Sequence, residues 1–216
     1  MPSVICFDIG GVLVGHCRSW LEGCRRAGVP AREPEWLRSQ AAIARRRAVV
    51  QTYQRGQCTT AEYYADLAAA LSGLYTVEEV ASVHRAWLLE EYPGVEQLVR
   101  ELNADPRVTT ACLSNTNAAH WEQLVPADGR SRFPSCVALQ VRLASHRLGA
   151  SKPDAEVFDI AQKRLGVAPR EILFFDDGPA NVEAALQAGW HAALVDFRRD
   201  TAFQLREVLR EALGGF

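Results

Sequence analysis

The sequence predicts an α/β fold: a doubly wound parallel sheet, opened after its first strand by an all-helical insert. Three observations carry this expectation. The apolar run Val4 to Phe7 ends in Asp8, and Gly10 and Gly11 follow, which is the pattern of a buried parallel strand meeting a tight turn. Residues 18–91 then carry apolar positions at helical spacing with no strand-like segment between them. From Pro93 onward, strand-like and helix-like segments alternate, and that alternation implies parallel strands joined by crossover helices.

The elements follow in order. Residues 4–7 form the first strand. Helices are expected at 18–27, 35–50, 60–72 and 77–91, separated by Gly, Pro and Thr breaks. Thr60 ahead of Glu62, and Thr76 ahead of Glu78 and Glu79, read as helix starts. After Pro93 come a helix at 95–103, a strand at 108–113 and a helix at 118–124. A strand at 136–140, a helix at 154–165, a strand at 172–175 and a helix at 180–188 follow. A strand at 192–195 and a helix at 201–212 complete the pattern. The expected organisation is a Rossmann-like core, residues 1–14 with 93–216, and a helical cap, residues 15–92.

A length of 216 residues suits one medium domain, or a core with a smaller inserted one. A net charge of −2 gives no electrostatic reason to expect nucleic acid or an anionic membrane as partner. No apolar run approaches the ~20 residues that span a bilayer, and Met1-Pro2-Ser3 lacks the basic region of a signal peptide. The expected location is cytoplasmic. The six cysteines (Cys6, Cys17, Cys24, Cys58, Cys112, Cys136) include no CxxC pair and read as reduced and structural. Only Lys152 and Lys163 are lysines, the other 22 of the 24 basic residues being arginines. A lysine kept within Ser151-Lys152-Pro153-Asp154 points to a site that needs a compact ammonium, whereas Lys163 reads as an ordinary helix-face residue.

Four groups fall at, or just after, the carboxyl ends of expected core strands: Asp8, Ser114-Asn115-Thr116-Asn117, Lys152, and Asp176-Asp177. An open α/β sheet brings such ends to one crevice. A carboxylate, a hydroxyl beside backbone N–H donors, an ammonium and an acidic cation site together suit phosphoryl transfer. The carboxylate attacks phosphorus and becomes an acyl phosphate, while positive charge neutralises the equatorial oxygens.

The ordered motifs Phe7-Asp8-Ile9-Gly10-Gly11-Val12-Leu13, Leu113-Ser114-Asn115-Thr116-Asn117, Ser151-Lys152-Pro153-Asp154 and Phe174-Phe175-Asp176-Asp177 with Asn181 resemble the haloacid dehalogenase-like (HAD) hydrolase superfamily. The insert after the first motif matches its helical-cap subclass, which includes bacterial sugar-phosphate phosphatases such as glucose-1-phosphate phosphatases and the phosphatase domain of soluble epoxide hydrolase. The resemblance implies that Asp8 is the nucleophile and a Mg²⁺ ligand, with the Gly10 carbonyl as a second ligand. It implies that Ser114 and the Asn115 backbone hold phosphoryl oxygens and that Lys152 bridges nucleophile and phosphate. Asp177 is implied as a direct metal ligand, Asp176 as a direct or water-mediated one, and Asn181 as the residue that orients the acidic loop.

One position departs from the family pattern. Most phosphatases of the superfamily carry a second Asp, the general acid/base, two residues after the nucleophile; here that residue is Gly10. Positioned acid–base catalysis is worth ~10²–10⁴-fold. A phosphatase could compensate with an easier leaving group or another proton donor, His16 being nearest in sequence. A metal-independent 2-haloacid dehalogenase also lacks that Asp, but Asp176 and Asp177 beside Asp8 would then repel one another without a cation. A non-catalytic binder of the same fold is the third reading, and a phosphonate-cleaving variant would need a cap lysine, which residues 15–92 lack. The expected function is Mg²⁺-dependent hydrolysis of a small phosphorylated metabolite, a sugar phosphate among the options. The sequence leaves the metabolite and the choice between monomer and homodimer open.

Candidate cap residues for the crevice are His16, Arg18, Trp20, Arg45, Arg46, Arg47, Tyr53 and Arg55, although the run Arg45-Arg46-Arg47 reads better as a solvated helix face, because consecutive helix positions point in different directions. Residues 53–56 read as a substrate loop between helices, and Trp20, Trp36 and Trp87 as cap core. His120 and Trp121 read as helix packing near the entrance, and His84, His146 and His191 are assigned no role.

Overall fold

The structure, a computed structural model, describes residues 1–214. In chain order its strands are β1 (Val4–Phe7), β2 (Val14–His16), β3 (Leu88–Glu91), β4 (Thr109–Ser114), β5 (Val141–Ala144), β6 (Ile172–Asp176) and β7 (His191–Leu194). Its helices are α1 (Trp20–Ala27), α2 (Gln40–Gln54), α3 (Thr60–Ala70), α4 (Val77–Arg85), α5 (Val95–Asn103), α6 (Ala118–Leu124), α7 (Pro134–Ala138), α8 (Ser145–Leu148), α9 (Ala155–Leu165), α10 (Pro179–Gln187) and α11 (Thr201–Leu213).

Five strands form one parallel sheet in the order β5-β4-β1-β6-β7. Alternate side chains leave a strand on opposite faces, and this sorts the core into two clusters. Ile5, Phe7, Cys112, Leu173 and Phe175 pack with Leu98 and Leu102 of α5 and with Leu205 and Leu209 of α11. Val4, Cys6, Ala111, Leu113 and Phe174 pack with Val157 and Phe158 of α9 and Ala185 of α10. Helices cover both faces, which is why these strands are apolar throughout instead of alternating.

The chain runs outward from β1 through β4 to β5, then returns to β6 on the other side of β1. Such a reversal of direction opens a crevice at the carboxyl ends of the strands. Phe7 stands opposite both Cys112 and Phe175, and the Asp8 N–H donates to the Phe175 carbonyl at 2.7 Å. Asp8 and Asp176 therefore leave the sheet side by side.

Helices α1 to α4 build a third cluster around Cys24, Tyr53, Tyr63, Leu67, Tyr75 and Val83. Ser19 and Ser39 accept from backbone N–H groups at the starts of α1 and α2. Thr59 with Glu62, and Thr76 with Glu79, form capping boxes, each N-cap being worth about 1 kcal/mol. Helix α3 thus begins at Thr60, as expected from sequence, and its N-cap is Thr59.

The structure corrects four expectations. The helix expected at 77–91 ends at Arg85, and Leu88–Glu91 instead pairs antiparallel with β2. The ribbon joins the two chain crossings between the helical layer and the sheet; it exists through tertiary pairing, which local propensity does not encode. The strand expected at 136–140 is largely helix α7, because Pro134 at its first turn pre-sets the helical backbone, and the strand begins at Val141. The helix expected at 35–50 is a 3₁₀ turn, Glu35–Arg38, followed by α2, whose N-cap Ser39 divides the two. Trp36, expected in the core, is 41% exposed.

All six cysteines are free. Burial pushes the Cys6 thiol well above its ordinary value and that of Cys112 up to about 12, so both are poor nucleophiles. Among the described residues, no helix is long and apolar enough to cross a membrane.

Candidate active site

The carboxyl edge of the sheet gathers the strand-end residues singled out from sequence. Asp8 Oδ1 accepts from the Ile9 N–H at 2.7 Å and lies 3.1 Å from Lys152 Nζ. Lys152 Nζ also donates to Asp176 Oδ2 at 2.6 Å, so the ammonium bridges two carboxylates. The other oxygen of Asp176 accepts from the Gly178 N–H at 2.7 Å and from Asn181 Nδ2 at 2.9 Å. Asp177 Oδ2 pairs with Arg18 Nη1 at 2.8 Å.

Backbone geometry makes this convergence possible. The Asn115 side chain clamps the Lys152 peptide, donating to its carbonyl at 2.8 Å and accepting from its N–H at 2.9 Å. Sequence reasoning considered only the Asn115 backbone; the side chain holds the lysine in place. Gly11 has φ +82, and a Cβ there would fall 2.3 Å from Asp177 Oδ2. Only glycine lets the loop after β1 pass so close to the acidic loop. Ser114 is buried at the end of β4 and lines the cavity that opens above the acidic floor.

The electrostatics are those of a site short of positive charge. Burial, reinforced by Asp176 and Asp177, raises Asp8 to about 6 against the opposing pull of Lys152. Burial works against the Lys152 ammonium too, but Asp8 and Asp176 outweigh it and hold its pKa above the ordinary lysine value. Carboxylate oxygens of Asp8, Asp176 and Asp177 lie within 4.8 Å of one another. Such a set of hard oxygen donors with unbalanced negative charge fits a small divalent cation.

Two further features lie above this floor. The His16 ring stands over Gly10, with Nδ1 3.1 Å from where a Gly10 Cβ would be. That nitrogen is buried without a hydrogen-bond partner, and burial, with Arg18 next, lowers the imidazole to about 4. Deeper, His84 of α4 stacks on His120 of α6 with ring centroids 3.9 Å apart. His120 Nε2 lies 2.8 Å from the His84 carbonyl and its Nδ1 3.2 Å from Asn117 Nδ2. Those partners are satisfied by a neutral ring with its proton on Nε2. Burial pushes His84 well below the ordinary histidine range and His120 down to about 4.

A cavity of about 830 Å³ opens from Asp8, Gly10, Ser114, Asn115 and Asp177 into the helical layer. Of the crevice residues expected from sequence, His16, Arg18, Trp20 and Arg46 line it. Arg45 and Arg47 are exposed and lie outside it, as a solvated helix face requires, Tyr53 is buried in the helical cluster, and Arg55 pairs with Asp154. Trp87, expected in the core, lines the cavity as well as packing against that cluster. Asn117 and His120, expected in the strand-end group and near the entrance, also line it, and so does His84, which is assigned no role from sequence; no motif or spacing links the two histidines. Arg18 is named from sequence as a crevice residue, and its pairing with Asp177 is the part that was not foreseen.

Comparison with known proteins agrees with this geometry. A family model described as haloacid dehalogenase-like hydrolase matches residues 2–189. Hexitol phosphatase A of Escherichia coli (strain K12) is 25% identical over 207 residues, covering 94% of this chain and 86% of that protein. Acyl-CoA dehydrogenase family member 10 of Mus musculus is 26% identical over 160 residues, covering 72% of this chain. The match spans only 14% of that much longer protein. Among solved structures, a HAD family enzyme from Bacteroides thetaiotaomicron in complex with magnesium and inorganic phosphate superposes with a TM-score of 0.73, at 19% identity over 93% of this chain and 97% of that one. An L-2-haloacid dehalogenase from Xanthobacter autotrophicus superposes at 0.60 and 19% identity, over 100% of this chain and 84% of that one. At such identities the superpositions speak for the fold. The family match extends from the first strand through α10 and takes in every motif gathered at the carboxyl edge, and on that ground the chain belongs to the haloacid dehalogenase-like hydrolases.

Proposed function

We propose that this hydrolase is a Mg²⁺-dependent phosphatase that cleaves a small phosphorylated metabolite through an aspartyl-phosphate on Asp8. The observation that carries the reading is the trio Asp8, Asp176 and Asp177, whose carboxylate oxygens lie within 4.8 Å of one another, with the buried Lys152 ammonium paired to the first two. A dehalogenase working without metal would hold these acids together at a steep electrostatic cost. The relative named hexitol phosphatase A supports the same chemistry.

In this reading Asp8, the Gly10 carbonyl and Asp177 hold the cation. Asp176, whose oxygens are bonded to Lys152, Gly178 and Asn181, supports them from behind, and Asn181 orients the acidic loop. When bound, Mg²⁺ supplies charge neutralisation for the transferring phosphoryl group. The Ser114 hydroxyl and the Asn115 N–H receive phosphoryl oxygens, and Lys152 fixes Asp8 while lowering the charge that the phosphate meets.

Asp8 Oδ1 is engaged by Ile9 and Lys152, which leaves Oδ2 to attack phosphorus. The bond from phosphorus to the ester oxygen breaks, its electron pair leaves with that oxygen, and solvent supplies the proton that makes the alcohol. Water then attacks phosphorus, the bond to Asp8 breaks, and carboxylate and inorganic phosphate result. His16, whose buried and unpartnered Nδ1 stands over Gly10, is the group placed to take the proton of the attacking water. Residues 15–92 act as a cap. The Arg18–Asp177 and Arg55–Asp154 pairs bridge it to the core, and exposed pairs worth ~0–1 kcal/mol each leave the closure reversible.

The test is hydrolysis of p-nitrophenyl phosphate and acetyl phosphate with Mg²⁺ or EDTA, beside Asp8→Asn. Metal-dependent turnover and a base-labile phosphoryl label are expected, both lost in Asp8→Asn. Turnover that survives Asp8→Asn, or chloride release from 2-chloropropionate, would replace this reading.

A further inference from the structure

From the walls of the cavity we infer that the natural leaving group is a largely apolar body, a class quite different from a hexitol. The inference rests on the phosphatase reading above. The cavity begins at the acidic floor and continues into the helical layer between Trp20, Leu37, Ile43, Leu67, Leu71 and Trp87. At about 830 Å³ it is within the range of drug-sized ligand sites, far more than a phosphoryl group needs.

A polyhydroxylated leaving group loses its water on entering such a space, and each hydroxyl then needs a partner or costs ~1–3 kcal/mol. Arg38 and Arg46 along the upper wall each have one partner of their own, and the Trp20 indole N–H is a buried wall donor without one, far fewer groups than a polyol would need. Arg38 bonds Glu33 at 3.4 Å, and Arg46 donates to the Leu37 carbonyl at 3.0 Å. The Arg38 side chain is 77% exposed, which puts this charge at the outer end of the cavity. At the inner end, His84, Asn117 and His120 bond chiefly to one another. An apolar body asks nothing of these groups and gains from every apolar atom it buries. Gly10 adds an independent preference, because no carboxylic acid stands there to protonate a strongly basic leaving oxygen. A phenol or similar weakly basic oxygen is therefore better suited than a simple alkoxide.

The experiment is kcat/KM for a series of 4-alkylphenyl phosphates, methyl to hexyl, in which the leaving oxygen stays nearly constant while the apolar body grows. A hexitol 6-phosphate is run beside them. A fully buried methylene is worth about fourfold; an increase of about tenfold or more from methyl to hexyl is expected, with the hexitol phosphate far behind. Ile43→Glu, on the partly exposed side of α2 and checked for folding by its melting curve, is expected to remove most of that increase. A flat or falling series, or a hexitol phosphate that outperforms the hexyl ester, overturns the inference while leaving the phosphatase reading intact. If no ester is hydrolysed, including the methyl one, the phosphatase reading fails instead. The cavity is then judged by tryptophan fluorescence with 4-hexylphenylphosphonate: quenching that is stronger than with phenylphosphonate upholds an apolar site, and its absence overturns one.

Discussion

Replacing Lys152 by Met removes the only cation among the buried groups of the acidic floor. The side chain is fully buried, 3.1 Å from Asp8 and 2.6 Å from Asp176, and Met matches its length without the charge. Removing one partner of a buried ion pair costs ~3–5 kcal/mol, because the remaining charge is left unsolvated. In a chain of this size that corresponds to a fall in Tm of roughly 6–20 °C. The loss also has a pH signature. Lys152 is the main group opposing the upward shift of Asp8, which stands at about 6 with the lysine present and rises further without it. A raised acid takes up a proton in the folded state, so stability is lost as pH climbs from the unfolded value, ~3.9, through the folded one. Above pH 6 the wild-type contribution levels off, whereas the variant keeps losing up to ~1.4 kcal/mol per pH unit. Urea unfolding in EDTA, followed by tryptophan fluorescence at pH 6.0 and 7.5, should give a gap that widens by about 1–2 kcal/mol. A gap below about 1 kcal/mol at pH 7.5, or one identical at both pH values, would mean that Lys152 contributes by packing and not by charge.

Gly10→Asp puts a side chain into the volume that His16 occupies, its Cβ only 3.1 Å from Nδ1. It should destabilise the fold by about 1–3 kcal/mol, as overpacking does, with the loss largely recovered in Gly10→Asp/His16→Ala. Equal urea midpoints for wild type and the single variant would show that His16 does not fill this space. His84 and His120 are held neutral by burial. The stability they carry is full above the unfolded value of ~6.5 and is lost as pH falls toward about 4, where His120 titrates in the fold. For His120 the total is on the order of 3 kcal/mol. Urea midpoints between pH 7 and 4.5 should fall less steeply in His120→Asn than in wild type, and parallel slopes would sink the assignment.

The sequence by itself determined the class of the fold and the floor of the site. Val4–Phe7, Thr109–Ser114 and Ile172–Asp176 are short apolar segments that end in reactive residues. In a doubly wound parallel sheet all such ends face one crevice, so Asp8, Ser114, Lys152, Asp176 and Asp177 could be grouped without coordinates. What only the tertiary structure decided depends on contacts between segments with no common period. β3 reads as the end of a helix because its strand state comes from pairing with β2, and strand propensity is largely a record of such neighbours. The bridging position of Lys152 depends on the Asn115 clamp and on the register that sets Asp8 beside Asp176. His84 meets the site only through the way the helical layer seats on the sheet, and an isolated histidine carries no spacing signal; His16 and His120 were placed near the crevice by their closeness in sequence to the first and second motifs, but their contacts were not. The apolar lining of the cavity was hidden for the same reason: in sequence, Leu37, Ile43, Leu67 and Leu71 are ordinary positions of amphipathic helices, and only packing decides which of them turn toward a core and which toward an opening.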